Sequence, residues 1–142
     1  MKEALPIFSP DVVAKSTHRQ ENRIFGSFND VRRTSAYQPI YSLAHKRIVG
    51  YEALLRAEDQ DCRPVRPDLL FQQGQDLSDV VFLDRLCRFI HIENFREFPD
   101  DTNWLFLNVS PQTIIHGPRF GSFFKALLDQ FNFPPHRIVI EI

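Results

Sequence analysis

Residues 37–56, YQPIYSLAHKRIVGYEALLR, constrain the fold more than any other stretch of the chain. Residues 37–43 are apolar and aromatic, with Gln38 set among them, and residues 48–55 form a second apolar run, β-branched near its start. Only Ala44-His45-Lys46-Arg47 lies between the two. Parallel neighbours need a connection of about a dozen residues or more, so two strands joined this tightly run antiparallel. Pro39 has no backbone N–H to give, which puts the first strand at an edge or gives it a local break. The second strand carries Glu52 between Tyr51 and Ala53-Leu54-Leu55. A charge in such a run is costly unless it is paired or bound to a metal. Glu52 is therefore the first residue to suspect of function.

Outside this hairpin the pattern is uneven. Residues 1–34 are weakly patterned and read as a leader or linker, with a short helix capped at Ser9-Pro10-Asp11. A sharper alternative makes Ile24, Phe25 and Phe28 the apolar anchors of a partner-binding segment. Residues 57–67 form a polar loop, followed by a short helix with Pro67 in its first turn. Residues 78–98 carry apolar side chains at helical spacing through Val81, Leu86, Phe89 and Ile90, with Arg88 and Glu93 falling mainly elsewhere. Asp84 and Arg88 make an i,i+4 pair on this helix, and His91 reads as a surface or half-buried histidine. Pro99-Asp100-Asp101 ends the segment. Residues 104–109 read as a buried strand with Asn108 near its end, and Ser110 or Thr113 opens a turn. Residues 118–131 form a second amphipathic helix, and residues 138–142 are the next strand. The order helix, strand, helix, strand is that of an α/β protein with a parallel sheet.

These segments also carry a family resemblance. Tyr37-Gln38-Pro39-Ile40, then Glu52-Ala53-Leu54-Leu55-Arg56, then FLNVSP at 106–111 and IVIEI at 138–142 follow one another as in the EAL domain. The chain resembles this family, the bacterial cyclic-di-GMP phosphodiesterases, from about Ser35 to its last residue. The resemblance implies a (β/α)8 TIM-like barrel whose first strand is antiparallel, which the hairpin requires independently. A complete barrel takes about 250 residues, whereas this chain has 142. Residues 35–142 are thus expected to be the N-terminal part of an EAL domain, truncated after about the fourth strand. The uncovered apolar edge of residues 138–142 makes homo-oligomers an expected outcome.

Glu52, Asn108 and Glu141 stand in or at the ends of three apolar strands, which in a parallel barrel converge on one face. Singly, Asn108 reads first as a cap of the turn into Ser110-Pro111, and Glu141 as an accident of position. Together, two carboxylates and a carboxamide oxygen make a hard donor set that suits Mg²⁺ or Mn²⁺ and not a structural zinc. The resemblance implies that all three are metal ligands, that Gln38 lies close to the bound dinucleotide and that Arg56 contacts a substrate phosphate. A planar guanidinium is suited to that grip. The implied activity is metal-dependent hydrolysis of cyclic-di-GMP to pGpG in bacterial signalling. The family's Asp-Asp-Phe-Gly strand end, catalytic lysine and general-base glutamate have no counterpart up to Ile142. No complete catalytic set is therefore expected, and the chain alone is expected to be inactive. The alternative is a catalytically inert cyclic-di-GMP receptor or protein-interaction module.

Composition narrows the partners. A net charge of −1 and a pI near 6.5 exclude a broadly basic surface for a nucleic acid polymer. Cys62 and Cys87 match no metal spacing or redox pair. No apolar run approaches the roughly 18 residues of a membrane span, and no signal-peptide core opens the chain. A reduced, cytoplasmic setting is the resulting expectation.

Overall fold

A computed structural model of the chain describes residues 7–72, 76–98 and 102–142. The elements in order are α1 (Pro10–Ala14), β1 (Thr17–Gln20), β2 (Arg23–Phe28), β3 (Val31–Ser42), β4 (Arg47–Glu58), β5 (Pro64–Val65) and α2 (Pro67–Gln72). There follow α3 (Leu77–Phe95), β6 (Trp104–Asn108), α4 (Pro111–His116), α5 (Phe120–Gln130), a 3-10 turn (Pro135–Arg137) and β7 (Ile138–Glu141). The strands form one sheet in the order β1-β2-β3-β4-β6-β7, with β5 on the flank of β4.

The hairpin is the spine of this sheet. β3 and β4 pair antiparallel, with Gln38 opposite Glu52, Pro39 opposite Tyr51 and Ile40 opposite Gly50. The register slips between Ile40 and Tyr41, so that Tyr41 faces Ile48. Pro39 therefore has both an edge and a break: β2 reaches β3 only at Val31, Arg32 and Arg33, and the bulge follows one residue after Pro39. Beyond β4 the sheet is parallel, β6 on β4 and β7 on β6, and each crossover carries helices. One antiparallel hairpin feeding parallel strands is the arrangement expected at the start of an EAL-type barrel.

Residues 7–34 are not a plain leader. Ser9 caps α1 by accepting the Val12 N–H, and β1 and β2 form a hairpin that extends the sheet. Ile24 is buried beneath α3 and Phe28 packs on Phe82 at 5.4 Å, so two of the three proposed partner anchors are spent inside the chain. The weak pattern arises because β1 buries none of its residues and one of the two buried positions of β2 is a glycine. Gly26 lets it sit close, since a Cβ there would lie 2.9 Å from the Leu86 side chain.

α3 differs most from its sequence pattern. Asp76 caps it, and it is buried nearly all round between the sheet, α1 and α4. Arg88 and Asp84 form their ion pair inside the protein, and His91 is buried, not superficial. A one-sided amphipathic reading fails for a helix packed on several sides. Residues 99–101, read as its terminator, lie outside the described residues; α3 itself stops at Phe95. The polar stretch after β4 is partly ordered. β5 pairs with Ala57 and Glu58, and Asp59 Oδ1 accepts the Asp61 and Arg63 amides at 2.9 Å each.

Candidate functional site

Strand alternation decides which side chains share a face. Ala53 on β4 and Leu105 and Leu107 on β6 are buried in the core with α3, and Ile138 and Ile140 on β7 pack against the same cluster. Side chains of period 2 then put Glu52, Leu54 and Arg56, Phe106 and Asn108, and Val139 and Glu141 on the opposite face. Directly opposed residues share a face, so Gln38 lies beside Glu52 and Asn108 beside Glu141. The carboxamide closes the group: Asn108 Nδ2 donates to Glu52 Oε1 at 2.9 Å. Asn108 is thereby bonded across strands, not spent on capping the following turn. That turn is instead opened by Ser110, the N-cap of α4, without a side-chain cap bond.

The strand ends surround a cavity of about 580 Å³ lined by Arg56, Asn108 and Glu141, with Asp84, Cys87, His91 and Ser110 along the helix side. Three of the five sequence-derived site residues thus line one cavity, Glu52 is tied to it through Asn108, and Gln38 stands on the exposed neighbouring strand. Arg56 lies about 13 Å along β4 from Glu52, four residues at strand rise, and its Nη1 donates to the Leu55 carbonyl at 3.0 Å.

Gly50 sets how closely the two carrier strands approach. A Cβ at this position would lie 2.8 Å from Phe106 Cε2 and 2.8 Å from the Trp104 carbonyl oxygen. The Phe106 ring therefore lies across Gly50, one pleat below Glu52.

Sequence reading missed the titratable groups that α3 brings to this cavity. Asp84 pairs with Arg88, and its Oδ1 accepts the Ser110 amide at 2.7 Å. Burial pulls the Arg88 guanidinium down to about 9 and pushes the Cys87 thiol up to about 11. His91 is pulled down to about 4, first by burial and then by the Arg88 charge, and its Nδ1 is hydrogen-bonded to Ser35 Oγ at 2.7 Å. The signal available in the sequence was Asp84, Arg85 and Arg88 set within residues 80–90, which are otherwise apolar; only packing on a second side gave it meaning.

The donor set is oxygen-based. Glu52, Asn108 and Glu141 come from three adjacent strands and include no sulfur or imidazole, which suits a hard divalent cation. Among the described residues no three His, Cys, Asp or Glu side chains converge on a metal-sized point, so the set depends on Asn108 as its third donor. No helix among them is long and apolar enough to cross a membrane.

Fold and site together define a barrel-type α/β domain with polar side chains gathered at the carboxyl ends of its parallel strands. The profile of the EAL domain matches residues 21–142, and the chain belongs to that family. Uncharacterized proteins of Mycobacterium bovis and Mycobacterium tuberculosis are 30% identical over 112 residues, covering 75% of this chain and 36% of each relative. The chain thus spans about a third of the length of these relatives. Among solved structures, the FimX EAL domain from Pseudomonas aeruginosa bound to c-di-GMP superposes with a TM-score of 0.62 at 22% identity, over 76% of this chain and 43% of that one. Klebsiella pneumoniae BlrP1 with FMN and cyclic diGMP, free of metal ions, gives 0.63 at 21% identity, over 77% and 28%. BlrP1 in a manganese and cyclic-diGMP complex gives 0.62 at 20%, over 76% and 26%. These likenesses establish the fold, that of part of an EAL-type barrel.

Proposed function

We propose that this chain provides the metal-binding and phosphate-binding half of a cyclic-di-GMP phosphodiesterase. The observation that carries the reading is the clustering of Glu52, Asn108 and Glu141 on one sheet face, with Asn108 bonded to Glu52. In it, the three residues hold Mg²⁺ or Mn²⁺ through carboxylate and carboxamide oxygens. The ion, when bound, activates water and neutralises charge on the phosphoryl group. Arg56 grips a phosphate at the cavity mouth, and Gln38 lies along the dinucleotide. The solved relatives support the ligand, since FimX and BlrP1 hold cyclic-di-GMP and one BlrP1 complex contains manganese. None of these five residues is a free base for the attacking water, because the carboxylates are committed to the cation. Hydrolysis to pGpG is assigned to the parent domain, in a cytoplasmic setting.

One observation favours a second reading. BlrP1 binds cyclic-di-GMP without metal ions, so ligand recognition in this fold does not require the cation. A receptor that binds but does not hydrolyse fits that behaviour. Calorimetric titration with cyclic-di-GMP, with and without Mn²⁺, followed by chromatography for pGpG separates the two. Binding strengthened by Mn²⁺ and lost in Glu141→Gln supports the phosphodiesterase site. Binding indifferent to Mn²⁺ and to Glu141→Gln supports the receptor, and no binding at all removes both readings.

A further inference from the structure

A buried ion pair stands behind the strand end that carries Asn108. Asp84 and Arg88 lie on α3 with side chains 6% and 1% exposed. Replacing such a pair by apolar residues is often neutral or stabilising, so its presence in a packed core is weak evidence for a stabilising role. Its geometry points elsewhere. One Asp84 oxygen is taken by Arg88, while the other, Oδ1, accepts the Ser110 N–H at 2.7 Å. Ser110 is two residues past Asn108, at the point where the chain leaves β6 and turns into α4. The Ser110 side chain makes no cap bond there, so the Asp84 carboxylate anchors this turn from outside it.

The carboxylate is itself held. The Arg88 guanidinium sits among the rings of Phe120, Phe123 and Phe124 on α5, with centroids at 5.1, 5.8 and 5.3 Å. Among the described residues its Nε and Nη1 have no hydrogen-bond partner, so Asp84 and the aromatic faces are the groups that hold it.

We infer that Asp84 is a positioning residue for the metal site: its bond to the Ser110 amide fixes the exit of β6, and so places Asn108 against Glu52, while Arg88 in its phenylalanine cage holds the carboxylate in place. The metal part of this inference rests on the proposed function; the positioning of Asn108 does not. Loss of partners that orient metal ligands typically weakens metal affinity by about 10- to 100-fold.

The test uses the full chain and two double variants chosen to avoid leaving a lone buried charge. Asp84→Ala with Arg88→Met removes both the pair and the acceptor for Ser110. Asp84→Asn with Arg88→Met removes the charges and keeps an amide oxygen at the acceptor position. Each is read by thermal midpoint, by the NMR resonances of the Asn108 side-chain amide without metal, and by Mn²⁺ titration. Expected for the alanine double variant are a midpoint near wild type, a shifted or broadened Asn108 amide and Mn²⁺ affinity at least about tenfold weaker. The asparagine double variant is expected to recover both site readouts. An alanine double variant with an unmoved Asn108 amide overturns the positioning role, as does failure of the asparagine variant to recover that amide when its midpoint matches wild type. If wild type binds no Mn²⁺, the metal reading fails alone and the amide resonance still decides the positioning. If the alanine double variant does not fold, an asparagine double variant that folds with a wild-type Asn108 amide supports the role, and one that folds with the amide displaced overturns it.

Discussion

Glu52 and Asn108, 56 residues apart in sequence, are joined by a 2.9 Å hydrogen bond across the parallel pair of β4 and β6. The bond uses one carboxylate oxygen, and the other accepts no hydrogen bond from the described residues. A cation taking up that oxygen, together with Glu141 beside Asn108, would link three strands at once.

Such a link has a thermal signature. A ligand that binds only the folded state raises its stability by about 2.7 kcal/mol at a hundredfold excess over its Kd. Mn²⁺ is expected to raise the melting temperature of wild type by several degrees. In Glu52→Gln the same titration should leave the melting temperature within error, while the metal-free midpoint stays level or rises, because a half-buried carboxylate has been removed. Equal Mn²⁺ shifts in both proteins would remove Glu52 from the metal site.

Gly50→Ala tests how the site is spaced. The new methyl group would meet Phe106 and the rigid Trp104 carbonyl at 2.8 Å each, and the backbone contact cannot be relieved by a rotamer change. Overpacking of this kind costs about 1–3 kcal/mol. Differential scanning calorimetry should show the loss, and Mn²⁺ affinity should fall with it because β4 moves relative to β6. A stable variant with wild-type affinity would show that this close approach is immaterial to the site.

The parts of this architecture legible in the sequence were those encoded locally. Ala44-His45-Lys46-Arg47 is too short to permit anything but an antiparallel hairpin, and Pro39 announced the irregularity found beside it. Glu52, Asn108 and Glu141 were visible as polar residues in apolar strands, and their shared face follows from strand register. What stayed hidden depends on packing from a second side. His91, Asp84 and Arg88 have the spacing of an ordinary helix surface, and only the layers over α3 turn them into buried groups. Residues 17–28 were equally opaque, since β1 buries none of its residues and Gly26 stands at one of the two buried positions of β2.

Burial of His91 makes stability depend on pH. Its pKa falls from the ordinary 6.5 to about 4 in the folded protein, through burial and the nearby Arg88 charge. Between those values the unfolded chain binds more protons than the folded one, so stability rises with pH across this window. The contribution is complete above pH 6.5 and is lost as pH falls toward about 4, to the extent of about 3 kcal/mol. Urea denaturation of wild type and His91→Gln at matched pH values should show a shallower slope for the variant between pH 6.5 and 4. Parallel profiles would mean that His91 is already protonated in the native state.

Where the N-terminal hairpin meets α3, one side chain acts as a surrogate strand. Asn94, buried on α3, accepts the Ile24 N–H through Oδ1 at 2.8 Å and donates through Nδ2 to the Ile24 carbonyl at 3.0 Å. The same amide nitrogen also donates to Ser35 Oγ at 3.2 Å, tying β2 and β3 to one point of the helix. Asn94→Ala would leave the Ile24 N–H buried without this acceptor, at about 1–3 kcal/mol, while the Ile24 carbonyl keeps the bond from Thr34 Oγ1 at 3.1 Å. β2 meets β3 through only three register pairs, so its hold on the sheet leans on side-chain contacts to α3, of which the Asn94 bonds are the polar part. The expected result is local and not global. Amide hydrogen exchange should quicken by about tenfold or more in β1 and β2, corresponding to at least about 1.4 kcal/mol of lost local stability. Protection in β6 and β7 should change little, since their ladder pairs lie at the far side of the sheet. A uniform loss of protection across all strands would show that residues 17–28 unfold only together with the rest of the sheet, and that Asn94 supports the whole domain and not this hairpin alone.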